Sequence, residues 1–180
     1  MDDDFNKITE VLANGGIAVV RTDTIYGIIA RASKKRAVEK VYEVKHRDPT
    51  KQCIVLIPGS GSLREHSAVL SQYSRPDQPP TSIIVPKTNE HEWVLRGGNT
   101  VAYRVVRNEF LKKVVQAVGP VIAPSANPEG MPPARNIVEA RAYFGDDVDV
   151  YIDGGEVPED VQASRIIQVH PNGSVTVVRE

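Results

Sequence analysis

A single cysteine, Cys53, rules out an intrachain disulfide framework, and that scarcity fits a reducing cytosol. Cys53 opens the apolar run CIVLI, where a free thiol more often acts as a small buried hydrophobe than as a nucleophile. Charge of one sign is also lacking. Against 23 Asp and Glu stand 22 Lys and Arg, a formal net charge of -1, which argues against a protein that coats nucleic acid nonspecifically but allows a local basic patch. No apolar run is long enough to span a bilayer. The N-terminal stretch MDDDFNKITEVL is acidic and amphipathic, whereas a secretory signal needs a basic start and an apolar stretch. The expectation is a soluble, cytoplasmic protein with no membrane association.

The usual nucleotide signatures are missing as well. The sequence has no GxxxxGK[ST] loop, no GxGxxG after a strand and no closely spaced Cys/His cluster. Any nucleotide must therefore be held by scattered side chains and backbone amides. There is no internal repeat and no linker long enough to divide the chain. Its 180 residues, 41% hydrophobic and 25% charged, suit one globular domain over 1–180 with a substantial core.

What is present is an interleaving of strands and helices. Phe5, Ile8, Val11 and Leu12 share a helical face, and Asn14-Gly15-Gly16 supplies the stop. IAVV reads as a short buried strand, followed by the polar loop RTDTIYG. Ser33 is the expected N-cap of a helix that turns Ala37, Val38, Val41 and Tyr42 inward. That helix runs out near Lys45-His46-Arg47, and Pro49 blocks its continuation. CIVLIP, SIIVP, VAYRVV and VIA read as strands, and LREHSAVLSQY as a helix. Asn108 caps another helix, stopped by Gly119-Pro120. NIVEARAYFG is helical and VDVYIDGG a strand and turn. RIIQV and SVTVV form a closing hairpin across Pro171-Asn172-Gly173. The fold class expected is α/β with α+β character, a mixed twisted sheet flanked by helices.

Polar residues gather at strand exits, where sites on such sheets form. Lys45, His46 and Arg47, with Lys51 close behind, offer cations for a phosphate; equally, they would complement a helix C-terminus. His46 is expected to face solvent. Ser125-Ala126-Asn127 either binds ligand oxygens or bonds its own backbone as a turn. Thr22-Asp23-Thr24 is a substrate cradle or an Asx-type turn. Arg104 sits inside an apolar strand, where a charge needs an exposed face or a partner. Alternation puts Val101, Tyr103 and Val105 on one face and Ala102, Arg104 and Val106 on the other.

In order, a glycine-ended helix, a strand, TDTIYG, a helix ending in KxR, the arginine strand VAYRVV, SAN, an IDGG turn and a late serine resemble the YrdC/Sua5 family of threonylcarbamoyl-AMP synthases. The match runs roughly from Ile8 to Arg179, and the length resembles the family's short form. The resemblance implies a concave cleft that takes ATP, L-threonine and bicarbonate, with Mg²⁺ accompanying the ATP, and makes threonylcarbamoyl-AMP and pyrophosphate. The product would then pass to a threonylcarbamoyl-transfer complex that modifies tRNA. By position, Lys45, Arg47, Ser125 and Asn127 correspond to the family's KxR…SxN tetrad. The resemblance also gives Lys45, Arg47, Lys51, Thr100, Asn127 and Arg179 to ATP. It gives Thr24, Arg104, Ser125 and Ser164 to threonine.

The sequence departs from the family pattern at Arg21, where proline usually stands, and at Gln52-Cys53, which replace Pro-Leu. It also departs at Asp77-Gln78, which lack the usual glycine, at Val106, where proline usually follows, and at Arg165, in place of threonine. Other readings are an RNA-binding module using Lys34, Lys35, Arg36, Lys40, Lys45 and Arg47, a carbamoyltransferase relative, or a catalytically drifted relative.

Overall fold

The run IAVV lacks a polar face because apolar layers cover both sides of the sheet it belongs to. Ile17 and Val19 enter one core, and Ala18 and Val20 enter the other. The computed structural model describes residues 2–180. In chain order the elements are α1 (Asp2–Ala13), β1 (Ile17–Arg21), β2 (Tyr26–Arg31), α2 (Lys35–Val44), β3 (Val55–Ile57), α3 (Ser67–Tyr73), β4 (Thr81–Pro86) and α4 (Glu92–Leu95). They continue with β5 (Thr100–Val105), α5 (Glu109–Val118), β6 (Val121–Ile122), α6 (Ile137–Phe144), β7 (Val150–Ile152), β8 (Arg165–Val169) and β9 (Val175–Arg179).

Among the described residues, all nine strands join one mixed sheet in the order β7-β1-β2-β6-β3-β5-β4-β8-β9. The pairs β1/β7, β3/β5 and β4/β8 run parallel and the other neighbours antiparallel, so the expected mixed sheet is what forms. The helices α2, α3, α4 and α6 send apolar residues into the core on one face. On the other face Ile8 and Leu12 of α1 meet Leu111, Val114, Val115 and Val118 of α5. These two helices pack over β7, β1, β2 and β3. On that same face, the register of β5, β4, β8 and β9 places Arg104, Ser82, Ile166 and Arg179.

Several local expectations hold. Asn108 accepts from the Leu111 amide at 2.9 Å and caps α5, Asn136 does the same for α6 with Glu139, and β8–β9 is the closing hairpin. Cys53 is buried, and its thiol lies 3.3 Å from the Tyr42 hydroxyl.

Others need correction. Ser33 does not cap α2. The cap position is Lys34, in extended backbone with no side-chain bond to the helix, because the turn after β2 ends one residue later than the serine suggested. The segment TDTIYG is not all loop. Tyr26 already pairs with Arg21, and the strand runs on through the apolar Gly27–Ala30. LREHSAVLSQY is α-helical only from Ser67; tight 3₁₀ turns precede it. The short α4, ended by Arg96 in left-handed backbone, carried no sequence signal long enough to separate it from a loop.

Candidate active site

The loop between β1 and β2 folds on itself before anything else approaches it. Thr22 donates its hydroxyl to the Ile25 carbonyl at 2.8 Å and lies 3.3 Å from the Thr24 hydroxyl, so both threonines are buried side by side. The next residues tie this loop to the segment after β6. The Ile28 amide donates to the Pro124 carbonyl at 3.0 Å and the Ala126 amide to the Tyr26 carbonyl at 2.9 Å, with a bridge between Gly27 and Ser125. A Cβ on Gly27 would stand 3.1 Å from the Thr22 methyl and 3.3 Å from the Pro124 carbonyl oxygen, so glycine is what allows this close approach. The Tyr26 hydroxyl reaches the other way, donating to the Gly155 carbonyl at 2.8 Å and accepting from the Gly154 amide at 3.0 Å. Three separated motifs, TDTIYG, SAN and IDGG, thus converge around one strand.

The SAN turn is held from beneath by Lys45, the residue that ends α2. Its side chain is only 2% exposed, and its ammonium donates to the Ser125 carbonyl at 2.5 Å and to the Asn127 carbonyl. Burial, reinforced by the charge of Arg47, lowers the Lys45 pKa to about 8. Within the turn the Ser125 hydroxyl lies 2.5 Å from Asn127 Oδ1, while Asn127 Nδ2 donates to the Met131 carbonyl at 2.6 Å. His46 takes left-handed backbone and faces solvent, as expected. That turn redirects the chain so that Arg47 returns over Tyr42. There its guanidinium donates to the carbonyls of Gln52 at 2.8 Å and Lys51 at 3.2 Å.

A cavity of about 260 Å³ opens among these parts. Of the residues expected at a site, Thr24, Arg47, Arg104, Ser125, Ser164 and Arg179 line it. They come from the β1–β2 loop, the segment after α2, β5, the segment after β6, the approach to β8, and β9. Lys45 and Asn127 sit directly behind the lining, bonded to or through Ser125. Lys51 and Thr100 are not in the lining. Lys51 is exposed and paired with Glu129, which also accepts from the Asp48 amide at 2.6 Å. Thr100 opens β5, where its carbonyl accepts from Gln52 Nε2 at 2.9 Å.

Arg104 is the unusual member. It is 5% exposed, lies on the cavity wall, and its polar side-chain neighbours are the Thr24 hydroxyl at 3.5 Å and the Asp23 carboxylate at 3.8 Å. Its Nε has no hydrogen-bond partner. Burial works against its charge, and Asp23 opposes that effect. Elsewhere in the lining, the Ser164 hydroxyl meets that of Ser82 at 2.9 Å, and the Ser164 carbonyl accepts from Arg179 Nε at 3.0 Å and from its terminal nitrogen at 2.6 Å. Three guanidinium groups on one small hollow, buried at Arg104, half-buried at Arg47 and exposed at Arg179, make a receptor for carboxylate and phosphate oxygens.

A profile of Sua5/YciO/YrdC proteins, described as telomere recombination, matches residues 10–180. The chain belongs to the Sua5/YciO/YrdC family. It is 29% identical over 164 residues to the threonylcarbamoyl-AMP synthase of Marinobacter nauticus, covering 86% of this chain and 85% of that one. It is 30% identical over 152 residues to the enzyme of the same name from Halorhodospira halophila, covering 79% and 78%. Among solved structures it superposes on Pyrococcus abyssi Sua5 complexed with L-threonine with a TM-score of 0.88 at 23% identity, over 99% of this chain and 54% of that one. The chain therefore spans about half the length of the archaeal protein whose fold it shares.

Within this Sua5/YciO/YrdC chain, the departures noted in the sequence have structural partners. Arg21 packs its stem against Gly154, where a Cβ would come within 2.5 Å, and donates to the Gly154 carbonyl at 3.0 Å. Gln52 ties the end of α4 to the start of β5 by donating to the carbonyls of Leu95 and Thr100. Arg165 donates to the Thr81 hydroxyl at 3.2 Å, away from the cavity lining. Asp23, Tyr26 and Gly27 stand in the TDTIYG motif read from the sequence, but only the structure gives them individual roles, and Ser82 is the participant that sequence reasoning passed over. The acid between two threonines was a readable signal for Asp23. Ser82, inside an apolar strand, had none until its partner Ser164 was in place.

Proposed function

We propose that the protein is an L-threonylcarbamoyladenylate synthase, joining L-threonine, bicarbonate and ATP into threonylcarbamoyl-AMP with release of pyrophosphate and water. The observation that carries this reading is the buried Arg104 on a cavity wall, with the Thr24 hydroxyl 3.5 Å from it and Ser164, Arg47 and Arg179 lining the same hollow. An amino acid's carboxylate fits Arg104, and a triphosphate fits the Arg47 and Arg179 side with Lys45 behind it. The names of the relatives support the same reaction.

In this reading Thr24, Arg104, Ser125 and Ser164 orient threonine so that its amino nitrogen meets the carbon of carbon dioxide or bicarbonate. The new N–C bond gives an N-carboxy group as the amine loses a proton; where bicarbonate is the donor, one of its C–O bonds breaks and water leaves. One of its oxygens then attacks the α-phosphorus of ATP, and the bond from that phosphorus to the bridging oxygen breaks as pyrophosphate departs. Both partners are anions, so the protein's contribution is alignment and compensation of charge by Arg47, Arg179 and Lys45. Asn127 holds Ser125 in place; Lys51 and Thr100, outside the lining, would reach ATP only if Lys51 leaves Glu129 or the nucleotide extends beyond the hollow. Among the described residues no group of three or more His, Cys, Asp or Glu side chains is placed to hold a metal. Mg²⁺ enters this reading as part of the MgATP substrate, held by phosphates and water in the way that ion prefers.

No helix among the described residues is long and apolar enough to cross a membrane. We place the activity in the cytoplasm, upstream of a transfer complex that moves the threonylcarbamoyl group to tRNA. The test is pyrophosphate release from MgATP and bicarbonate with and without L-threonine. Release that depends on threonine is expected. Release indifferent to threonine, or none, would remove this reading. In the latter case, steeply salt-dependent RNA binding would favour a binding module.

A further inference from the structure

Two buried groups of opposite charge face each other beside the cavity without bonding. Asp23 Oδ2 and Arg104 Nε lie 3.8 Å apart, the two side chains are 4% and 6% exposed, and neither atom has a hydrogen-bond partner. A pair this dry would normally close to a short charge-assisted bond. Asp23 does not move closer because its other oxygen is committed. Oδ1 accepts from the Arg107 amide at 2.9 Å and from the Asn108 amide at 2.6 Å, the two residues that lead from β5 into α5.

The acid is therefore anchored to the backbone three and four residues beyond Arg104. It fixes the exit of the strand that carries this arginine and holds a negative charge against its inner edge. An uncompensated buried guanidinium is costly, and a long side chain has many ways to reach water. Asp23 lowers that cost without using up the donors of Arg104. The donor edge beside Thr24, where the Thr24 hydroxyl is still 3.5 Å away, stays available to a ligand on the cavity side.

We infer that Asp23 is a positioning residue that holds Arg104 in place to receive the carboxylate of the amino-acid substrate. The inference rests on the synthase reading above and adds to it a residue that contacts no substrate. It also explains why an acid stands in a site built for anions: its charge faces the back of the arginine, and its oxygens are turned towards β5.

The test is Asp23→Asn, which keeps an amide oxygen for the Arg107 and Asn108 amides and removes the charge. L-threonine and ATP binding are measured by calorimetry, so that the result does not depend on turnover. Threonine affinity should fall about tenfold or more, as expected when a buried cation loses its counter-charge. ATP affinity should change less than about twofold, and the melting midpoint should move by only a few degrees. In an Arg104→Lys background the same substitution should have a much smaller effect on threonine.

Unchanged threonine affinity in Asp23→Asn would overturn the proposal. So would equal losses for threonine and ATP with a collapsed midpoint, or an undiminished effect in the Arg104→Lys background. Wild-type protein that binds no threonine would overturn both this inference and the synthase reading. Wild-type protein that binds threonine but releases no pyrophosphate would sink only the synthase reading, leaving Asp23 to be judged on the binding ratio.

Discussion

Replacing Lys45 by methionine keeps much of the side chain's length and removes its ammonium, which isolates what that buried charge does. Two opposing effects set the cost. The ammonium donates to the carbonyls of Ser125 and Asn127, and hydrogen bonds to a charged group contribute roughly 1.5–3 kcal/mol each, so about 3–6 kcal/mol is lost. Against this, burial holds the Lys45 pKa at about 8, and the distance from the ordinary value near 10.4 corresponds to roughly 3 kcal/mol of cost in keeping the charge. The difference is about 0–3 kcal/mol, so the variant should fold, with a melting midpoint only a few degrees lower.

The pH dependence carries the sharper test. Below about pH 8 both folded and unfolded chains hold the Lys45 proton, and the burial cost is fully present. Between that value and about 10.4 the unfolded chain keeps a proton that the folded chain has released, so wild-type stability gains relative to Lys45→Met as pH rises. Activity should move the opposite way, declining above about pH 8 as the cation behind the SAN turn loses its charge. Urea midpoints of wild type and variant, at neutral pH and near pH 9.5, read the first effect; pyrophosphate release over the same range reads the second. Parallel stability curves for the two proteins would refute the reasoning. So would a Lys45→Met variant that retains wild-type turnover.

Three further outcomes follow from other parts of the structure. Arg104→Ala should raise the threonine requirement at least about tenfold while changing the ATP requirement little, measured as separate KM values; the reverse pattern contradicts the assignment. Asn108→Ala removes the acceptor for the Leu111 amide at the start of α5 and should cost about 1 kcal/mol, read as a fall of a few degrees in the melting midpoint. Gly154→Ala would set a methyl 2.5 Å from the Arg21 Cβ and should destabilise by about 1–3 kcal/mol in urea unfolding, with the loss relieved in an Arg21→Gly background but not in Arg21→Ala, which keeps that Cβ.

Much of this architecture was legible because local signals and burial agreed. IAVV, VAYRVV, the Asn108 cap and the closing hairpin each follow from apolar runs, a capping side chain or turn residues. Strand alternation alone put Arg104 opposite Val101 and Tyr103, and the structure has those two in the other core. What could not be read were relations between distant segments. Nothing in KHR says that Lys45 turns inward to hold the carbonyls of Ser125 and Asn127, since a lysine at a helix end ordinarily points to water. Lys51 looks equally suited to phosphate in the sequence, yet it is the acid Glu129, far along the chain, that engages it. Strand β2 was obscured because Gly27 sits where a strand would normally carry a side chain, and only the approach of Pro124 gives the reason.

The most direct measurement follows the carbon atom. The protein would be incubated with MgATP, L-threonine and isotope-labelled bicarbonate, and the nucleotide products resolved by mass spectrometry. The account predicts an adenylate that contains both threonine and the labelled carbon, formed in proportion to pyrophosphate and missing when threonine is withheld. Pyrophosphate released with AMP alone, or an adenylate free of label, would contradict it.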